Sequence, residues 1–198
     1  MKQQILFIHG GETFDSYEDY IKFISEKRQV RIEDLKGKIR WRNHLQEDLG
    51  NNYEVLLPQM PCGWNAKYSE WKIWFEKLFP FFQKNIILIG GSLGGIFLAK
   101  YLSENDFPVK IKAIFLVAAP YDGCLGDFAL EESLEKFSVQ CPKIFLYHSE
   151  DDPVVPLADV EKYAQKLPHA EKIIFKDKGH FNLKEFPEIV EKIKEISI

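Results

Sequence analysis

The amino-acid sequence predicts an α/β protein, a three-layer α/β/α sandwich with a mostly parallel sheet. Short runs of consecutive apolar residues, such as Ile5-Leu6-Phe7-Ile8 and Ile86-Ile87-Leu88-Ile89, are typical of strands that are buried on both faces. Segments of helical periodicity alternate with these runs, which is the order that produces parallel strands joined by crossover helices. The 198 residues contain no internal repeat or low-complexity linker, so we expect residues 1–198 to form a single domain.

Each element is predicted from its pattern and from the residues that end it. Segments rich in Gly or Asn follow the first strand and the helix that ends near residue 48. An aromatic-rich stretch from Tyr68 to Leu78 follows a helical period, and we expect its apolar stripe, including Trp71, Ile73 and Trp74, to lie in the core. The predicted strands are 5–8, 53–57, 86–89, 111–119, 143–147 and 172–175; the predicted helices are 16–27, one ending near 48, 68–78, one ending near 105, 131–137, 157–167 and 183–196.

The charge balance argues against nucleic acid or an anionic membrane as a general partner. The formal net charge is −4 at pH 7, so the molecule as a whole lacks a strongly basic field. One stretch, Lys27 to Arg42, carries seven Lys or Arg residues against only Glu33 and Asp34, and we call it the basic segment. Such a stretch is more often a solvated face than a contact for an acidic partner.

The cysteines and the first residues indicate a cytoplasmic protein. Cys62, Cys124 and Cys141 are odd in number and widely spaced, which predicts neither a disulfide framework nor a zinc site. The apolar run that follows Gln4 is far shorter than a signal peptide's core or a membrane span. We therefore expect three ordinary thiols, a cytoplasmic location and no membrane association.

The strongest chemical motif is Gly90-Gly91-Ser92-Leu93-Gly94, which lies between a buried strand and a helix. It fits the G-x-S-x-G elbow, in which a tight turn lifts a serine hydroxyl above the sheet. Glycine-rich turns of this kind also bind phosphate, but the lysine and hydroxyl pair of a P-loop is missing, as is the G-x-G-x-x-G spacing. We therefore predict that Ser92 is a nucleophile.

An acid and a base follow Ser92 in the chain, each in a loop after a strand. Glu150, Asp151 and Asp152 follow the strand at 143–147, and any of the three is a candidate acid. Among five histidines, His180 follows the last strand and precedes the last helix, which is the position of a general base. The other four have better explanations as turn, helix, strand-end or loop-holding residues: His9, His44, His148 and His169.

The loop after the first strand supplies the remaining part of the site. His9-Gly10-Gly11 lets the backbone approach closely, and the N–H groups of Leu93 and Gly11 are the predicted oxyanion donors. Glu12, one residue further on, is the alternative donor. We expect His9 to hold this loop rather than to transfer protons.

Together these residues resemble the α/β-hydrolase superfamily, and within it the compact RBBP9/YdeN-like serine hydrolases. The likeness spans nearly the whole chain, and its most specific part is the string Ser149-Glu150-Asp151-Asp152-Pro153-Val154-Val155-Pro156. Read as D-x-x-V-P, this string implies that Asp152 is the acid. The other matching strings are Ile8-His9-Gly10, Pro58-Gln59-Met60-Pro61 followed by a helix with Trp71, Gly90 to Gly95, and Gly179-His180-Phe181.

The resemblance implies a minimal hydrolase fold with little or no cap and a triad of Ser92, Asp152 and His180. It also implies a small acyl substrate, an ester, thioester or amide, with no metal or organic cofactor. Two features depart from the family pattern: residues 25–43 form a longer and more basic segment, and the carboxylate of Glu12 lies beside the oxyanion loop. The alternative function is that of a weakly active or inactive hydrolase-fold protein that binds a protein partner.

Overall fold

The computed structural model describes residues 2–27, 29–30, 32–37, 39–122 and 125–197. These residues contain a six-stranded sheet with the strand order β2-β1-β3-β4-β5-β6. Every pair of neighbouring strands is parallel. The predicted α/β class with a mostly parallel sheet is therefore confirmed.

The helices and strands follow the predicted order, and one short helix in the basic segment, Ile32–Leu35, was not predicted. The strands are β1 (Gln3–Ile8), β2 (Tyr53–Leu56), β3 (Ile86–Gly91), β4 (Ile111–Val117), β5 (Ile144–Ser149) and β6 (Glu171–Phe175). The helices are α1 (Tyr17–Lys22), which continues as a π-helical turn (Phe23–Lys27), α2 (Ile32–Leu35), α3 (Trp41–Leu49), α4 (Tyr68–Glu76), α5 (Leu93–Glu104), α6 (Glu135–Gln140), α7 (Leu157–Lys166) and α8 (Pro187–Ser197). Short 3₁₀ turns lie at Phe79–Phe81 and Gly126–Phe128.

Helices cover both faces of the sheet, which gives the predicted three layers. On β1, Leu6 and Ile8 belong to a core shared with α4, α5, α6 and α7, whereas Ile5 and Phe7 belong to a second core shared with α3 and α8. Successive side chains of a strand point to opposite faces of the sheet, and here both faces are buried under helices. This explains why the strands appear in the sequence as continuous apolar runs rather than as alternating ones.

The aromatic stripe of α4 is only partly buried, which corrects the prediction. Trp71 is fully buried and its Nε1 donates to the carbonyl oxygen of Pro61 at 2.8 Å. Ile73 and Trp74, in contrast, are 62% and 41% exposed. A nine-residue helix that packs on a sheet buries one face only. At about 100° per residue, Ile73 lies on the face opposite Trp71, whereas Trp74 lies at the edge of the buried face and is only partly exposed.

Two helix boundaries also differ from the prediction. The last helix begins at Pro187 rather than at Leu183, because proline suits the first helical position and the preceding residues pack elsewhere. The carbonyl oxygen of Leu183 accepts a hydrogen bond from the N–H of Trp41 at 3.0 Å, and Phe186 is buried in the core. The short helix predicted at 131–137 is found at Glu135–Gln140.

The basic segment and the cysteines are described only in part. Arg28, Arg31 and Lys38 of the basic segment and Cys124 lie outside the described residues. Cys62 and Cys141 are free thiols, the first exposed and the second buried. Among the described residues, no helix combines the length and the apolar character that crossing a membrane requires.

Candidate active site

The strand order reverses between β1 and β3, and this reversal brings two loops together at the carboxyl edge of the sheet. After β1 the chain proceeds to β2 on one side, and after β3 it proceeds to β4 on the other. Ligands of open α/β sheets bind at such a switch point. The loop after β1 contacts the turn after β3, since a Cβ atom on Gly10 would lie 3.0 Å from the Cβ of Ser92.

Ser92 lies at this switch point in a backbone conformation that L-residues avoid. Its φ and ψ angles are +51° and −122°, and it separates β3 from α5. Its N–H donates to the carbonyl oxygen of Val117 at 2.8 Å, which ties the turn to the end of β4. A non-glycine residue held in such a conformation costs on the order of 1–3 kcal/mol, and strain of this size concentrates at functional sites.

Glycines around Ser92 make this turn possible through close backbone packing. A Cβ on Gly90 would lie 2.6 Å from both the carbonyl oxygen of Gly94 and the Cα of Gly95. A Cβ on Gly94 would collide with the carbonyl oxygen of Ile8. The two glycines of the motif, Gly90 and Gly94, are therefore needed for a steric reason, and Gly95, which packs against Ala119, is a third.

The N–H groups of Leu93 and Gly11 are available as donors beside Ser92. Leu93 is the first residue of α5, where N–H groups have no partner within the helix. Among the described residues, no acceptor takes the N–H of Gly11. The N–H of Glu12 already donates to the carbonyl oxygen of Gly63 at 2.9 Å. The hydrogen bonding therefore favours Gly11 over the alternative, Glu12.

His9 uses both ring nitrogens to fix this loop. Its Nδ1 lies 2.6 Å from the carbonyl oxygen of Gly10, which can only accept, so Nδ1 carries the proton and Nε2 accepts from the N–H of Met60 at 2.9 Å. The peptide between Gly10 and Gly11 is trans, so its N–H points away from the oxygen that His9 holds. The His9 ring thus sets the direction of the Gly11 N–H.

The electrostatics of His9 agree with this holding role. Burial lowers the pKa of His9; the hydrogen bond to Gly10 opposes this shift, and the charge of Arg42 adds to it. A lowered pKa keeps the ring neutral, and a neutral ring can donate from one nitrogen and accept at the other.

Asp152 and His180 form a hydrogen-bonded pair at the same edge of the sheet. His180 Nδ1 lies 2.8 Å from Asp152 Oδ2, and the Asp152 side chain is 1% exposed. The other carboxylate oxygen, Oδ1, accepts from the N–H groups of Val154 at 2.8 Å and Val155 at 3.1 Å. Burial alone would raise the pKa of Asp152, but the hydrogen bonds from His180, Val154 and Val155 outweigh it and hold that pKa below its ordinary value.

This pairing leaves His180 Nε2 as the nitrogen available to Ser92. Ser92 and His180 are both described, and their side chains form no hydrogen bond with each other in this structure. In enzymes without bound substrate, the bond between nucleophile and base is often long and tightens only in the complex.

A second set of hydrogen bonds, which the sequence did not reveal, connects the acid loop to the turn before His180. The Ser149 hydroxyl donates to Asp151 Oδ1 at 2.6 Å and accepts from the N–H of Lys178 at 2.9 Å. Asp151 Oδ1 also accepts from the N–H of Gly179 at 2.8 Å. The hydrogen bonds from Ser149 and Gly179 lower the pKa of Asp151. Ser149 and Asp151 thus hold the two amides that precede His180, and we call them the loop clamp.

The order of the sheet and the placement of these loops define an α/β-hydrolase fold. The serine hydrolase family model matches residues 36–195, and the chain belongs to this family. The chain is similar to the serine hydrolase RBBP9 of Rattus norvegicus, with 31% identity over 150 residues that cover 72% of this chain and 77% of the relative. This confirms the family resemblance seen in the sequence, and the protein is a hydrolase.

Solved structures show the same fold at lower sequence identity. The ydeN gene product of B. subtilis superposes with a TM-score of 0.79 at 16% identity, covering 99% of both chains. A putative yden-like hydrolase of Pectobacterium atrosepticum gives a TM-score of 0.66 at 12% identity, covering 99% of this chain and 91% of that one. At such identities the likeness concerns the fold.

Proposed function

We propose that this hydrolase cleaves a small acyl substrate through an acyl-enzyme intermediate on Ser92. The observation that carries the proposal is the Asp152–His180 hydrogen bond at the sheet edge where Ser92 is held at φ +51°. A buried carboxylate on Nδ1 fixes the imidazole tautomer whose Nε2 can accept a proton. A protein that only binds a partner and catalyses no reaction has no use for a strained backbone at Ser92.

In the proposed first half-reaction, His180 Nε2 takes the Ser92 hydroxyl proton as Oγ attacks the carbonyl carbon. The N–H groups of Leu93 and Gly11 stabilise the negative charge that develops on the carbonyl oxygen. The bond to the leaving group then breaks, and the leaving group takes the proton from His180. The products are an acyl ester on Ser92 and a free alcohol, thiol or amine.

In the second half-reaction, water takes the place of the leaving group. His180 accepts a proton from water, the resulting hydroxide equivalent attacks the acyl carbonyl, and the proton returns to Ser92 Oγ as the ester bond breaks. Asp152 keeps its negative charge throughout and stabilises the imidazolium. Apart from the substrate and water, every step uses only side chains and backbone groups of this chain.

The connection after β4 supports an open site that admits small substrates from solvent. In many hydrolases of this type a cap is inserted in this connection. Here the connection is short and packs against the rest of the domain. Phe128 is fully buried, Asp127 Oδ2 accepts from the N–H of Tyr68 at 2.9 Å, and Asp159 Oδ2 accepts from the N–H of Tyr121 at 2.9 Å. The substrate class that we propose is therefore a small ester, thioester or amide, with carboxylesterase activity as the first to test.

A fluorophosphonate probe tests the nucleophile directly. We expect the wild type to be labelled and Ser92→Ala to lose all labelling. Ser103→Ala is a matched control, because Ser103 lies on α5 and donates only to Ala99 of its own helix. Absence of labelling in folded wild-type protein would refute the enzyme and favour the alternative, a protein-interaction module. A screen of short acyl p-nitrophenyl esters, acyl thioesters and amides then distinguishes esterase, thioesterase and amidase activity.

A further inference from the structure

One buried histidine takes no part in the catalytic steps that we propose. His148 is the residue before the end of β5, and its side chain is fully buried. Strand alternation places its ring on the same face as Ile144 and Leu146, which belong to the core shared with α7. A polar side chain at this depth is unfavourable unless its nitrogens are hydrogen-bonded, so each ring nitrogen needs an explanation.

The two ring nitrogens of His148 have different surroundings. Nε2 lies 3.0 Å from the carbonyl oxygen of Val155. A carbonyl oxygen only accepts, so Nε2 carries the proton and Nδ1 is the acceptor of the neutral ring. Nδ1 is buried and accepts no hydrogen bond from any described residue. A buried acceptor without a partner costs free energy, and this cost offsets what the bond to Val155 contributes to stability. The effect of His148 is therefore to be sought in where it holds Val155.

Val155 links His148 to the acid of the proposed triad. Its N–H donates to Asp152 Oδ1 at 3.1 Å and its carbonyl oxygen accepts from His148, so Val155 is held on both sides. Because Oδ1 is bound to backbone, the other carboxylate oxygen, Oδ2, is the one that lies 2.8 Å from His180 Nδ1. Three hydrogen bonds thus run in series from β5 to the imidazole of His180.

The loop that carries Asp152, residues 150–156, is held at its two ends by different contacts. At its start, the N–H of Glu150 donates to the carbonyl oxygen of Phe175 at 2.8 Å, and the loop clamp binds the amides before His180. Among the hydrogen bonds of the described residues, the bond from His148 is the one that ties residues 153–155 to a strand. The position of this end of the loop therefore depends on His148.

We infer that His148 is a positioning residue of the active site, because its Nε2–H holds Val155 where the carboxylate of Asp152 faces His180. This inference rests on the proposed function and adds a support for the acid of the triad. His148 touches neither the substrate nor the reacting atoms in this scheme. It acts on the reaction only through Val155 and Asp152.

Two substitutions separate the donor of His148 from the rest of the side chain. His148→Leu keeps an apolar side chain without a donor, whereas His148→Gln carries an amide N–H donor in place of Nε2. With p-nitrophenyl acetate we expect kcat of His148→Leu to fall by about tenfold, the effect of one hydrogen bond, while KM stays nearly constant. We expect His148→Gln to recover most of that loss.

Tyr101→Phe is the matched control for the loss of one hydrogen bond from a buried residue. Tyr101 lies on α5, is 2% exposed and donates to Glu76 Oε1 of α4 at 3.2 Å. We expect this variant to keep the wild-type kcat. A fall in kcat as large as that of His148→Leu would show that any lost hydrogen bond in the core has this effect, and the inference would be wrong.

A double-mutant cycle shows whether His148 acts through Asp152. In the Asp152→Ala background the carboxylate that Val155 orients is gone, so we expect the addition of His148→Leu to lower kcat by less than about twofold. The rate of Ser92→Ala is subtracted from every value, which removes hydrolysis that does not pass through Ser92. If His148→Leu lowers kcat equally in both backgrounds, or in neither, the inference is wrong.

Hydrogen exchange of the Val155 amide tests the inference without turnover. Relative to the amide of Ile114 in the sheet, we expect it to exchange about tenfold faster in His148→Leu, because its bond to Asp152 opens more often. We expect the wild-type exchange rate in His148→Gln and in Tyr101→Phe. Unchanged exchange in His148→Leu overturns the inference while the hydrolase proposal stands. If exchange is faster but the wild type hydrolyses no ester, the proposed function fails and the positioning of Asp152 by His148 stands.

Discussion

Exchanging Asp152 for asparagine tests the role of the buried carboxylate, and the structure fixes how the new amide must lie. Asp152 Oδ1 accepts the N–H groups of Val154 and Val155. Only the amide oxygen of asparagine can replace Oδ1 there, so the NH₂ group faces His180 Nδ1. That nitrogen must then accept, which moves the imidazole proton to Nε2. An Nε2 that carries a proton cannot take the proton of Ser92, so we expect kcat to fall by about 10⁴-fold, as in Ser-His-Asp proteases with the same exchange.

The assay is p-nitrophenyl acetate hydrolysis, with thermal unfolding of each variant as a check on folding. Asp151→Asn is the matched control. Asp151 accepts from Ser149 and Gly179 with Oδ1 alone and does not contact His180, and asparagine retains that oxygen. We expect this control to lose less than about tenfold in kcat, since hydrogen bonds to a neutral acceptor are weaker by roughly 1 kcal/mol. If Asp152→Asn keeps a tenth of the wild-type rate, or Asp151→Asn loses more than Asp152→Asn, the assignment of the acid is wrong.

Three further predictions concern the loop clamp, the elbow and pH. Ser149→Ala leaves the N–H of Lys178 without its hydrogen-bond partner. We therefore expect urea unfolding to show a destabilisation of about 1–3 kcal/mol, and we expect kcat to fall while KM stays nearly constant. An unchanged kcat would contradict the role of the loop clamp. Gly94→Ala drives a Cβ into backbone, so fluorophosphonate labelling should be lost, and normal labelling of this variant would show that the turn can relax. Because burial lowers the pKa of His9 from 6.5, the unfolded chain binds a proton at this residue that the folded chain does not. The contribution of His9 to the free energy of unfolding is therefore fully present above pH 6.5 and is lost as pH falls toward the lowered pKa. The wild type should lose more stability than His9→Asn between pH 7 and pH 5, and parallel profiles would contradict this assignment.

The sequence by itself determined the layered fold and the order of its parts. A strand that is buried on both faces requires apolar residues at every position, and a helix on a sheet requires a 3.6-residue period, so both are visible locally. The elbow around Ser92 was equally visible, because close backbone packing admits only glycine at positions 90 and 94. The strands and helices depend on residues that are neighbours in the chain, and the turn depends on glycines that have no side chain. Each can therefore be recognised from a short stretch of sequence.

The tertiary structure decided which of several similar residues face one another; in the sequence, only the family resemblance had implied Asp152 as the acid. Three adjacent carboxylates follow β5, and only the path of the loop turns Asp152 toward His180 and Asp151 toward the amide of Gly179. The exposure of Trp74 and the start of α8 at Pro187 likewise depend on what packs against them. The basic segment looked like a solvated face in the sequence, yet Arg40 lies bonded to Asn182 beside His180, across 142 residues of chain. No local period records a contact over that distance, because it arises only when the sheet brings the carboxyl ends of its strands together.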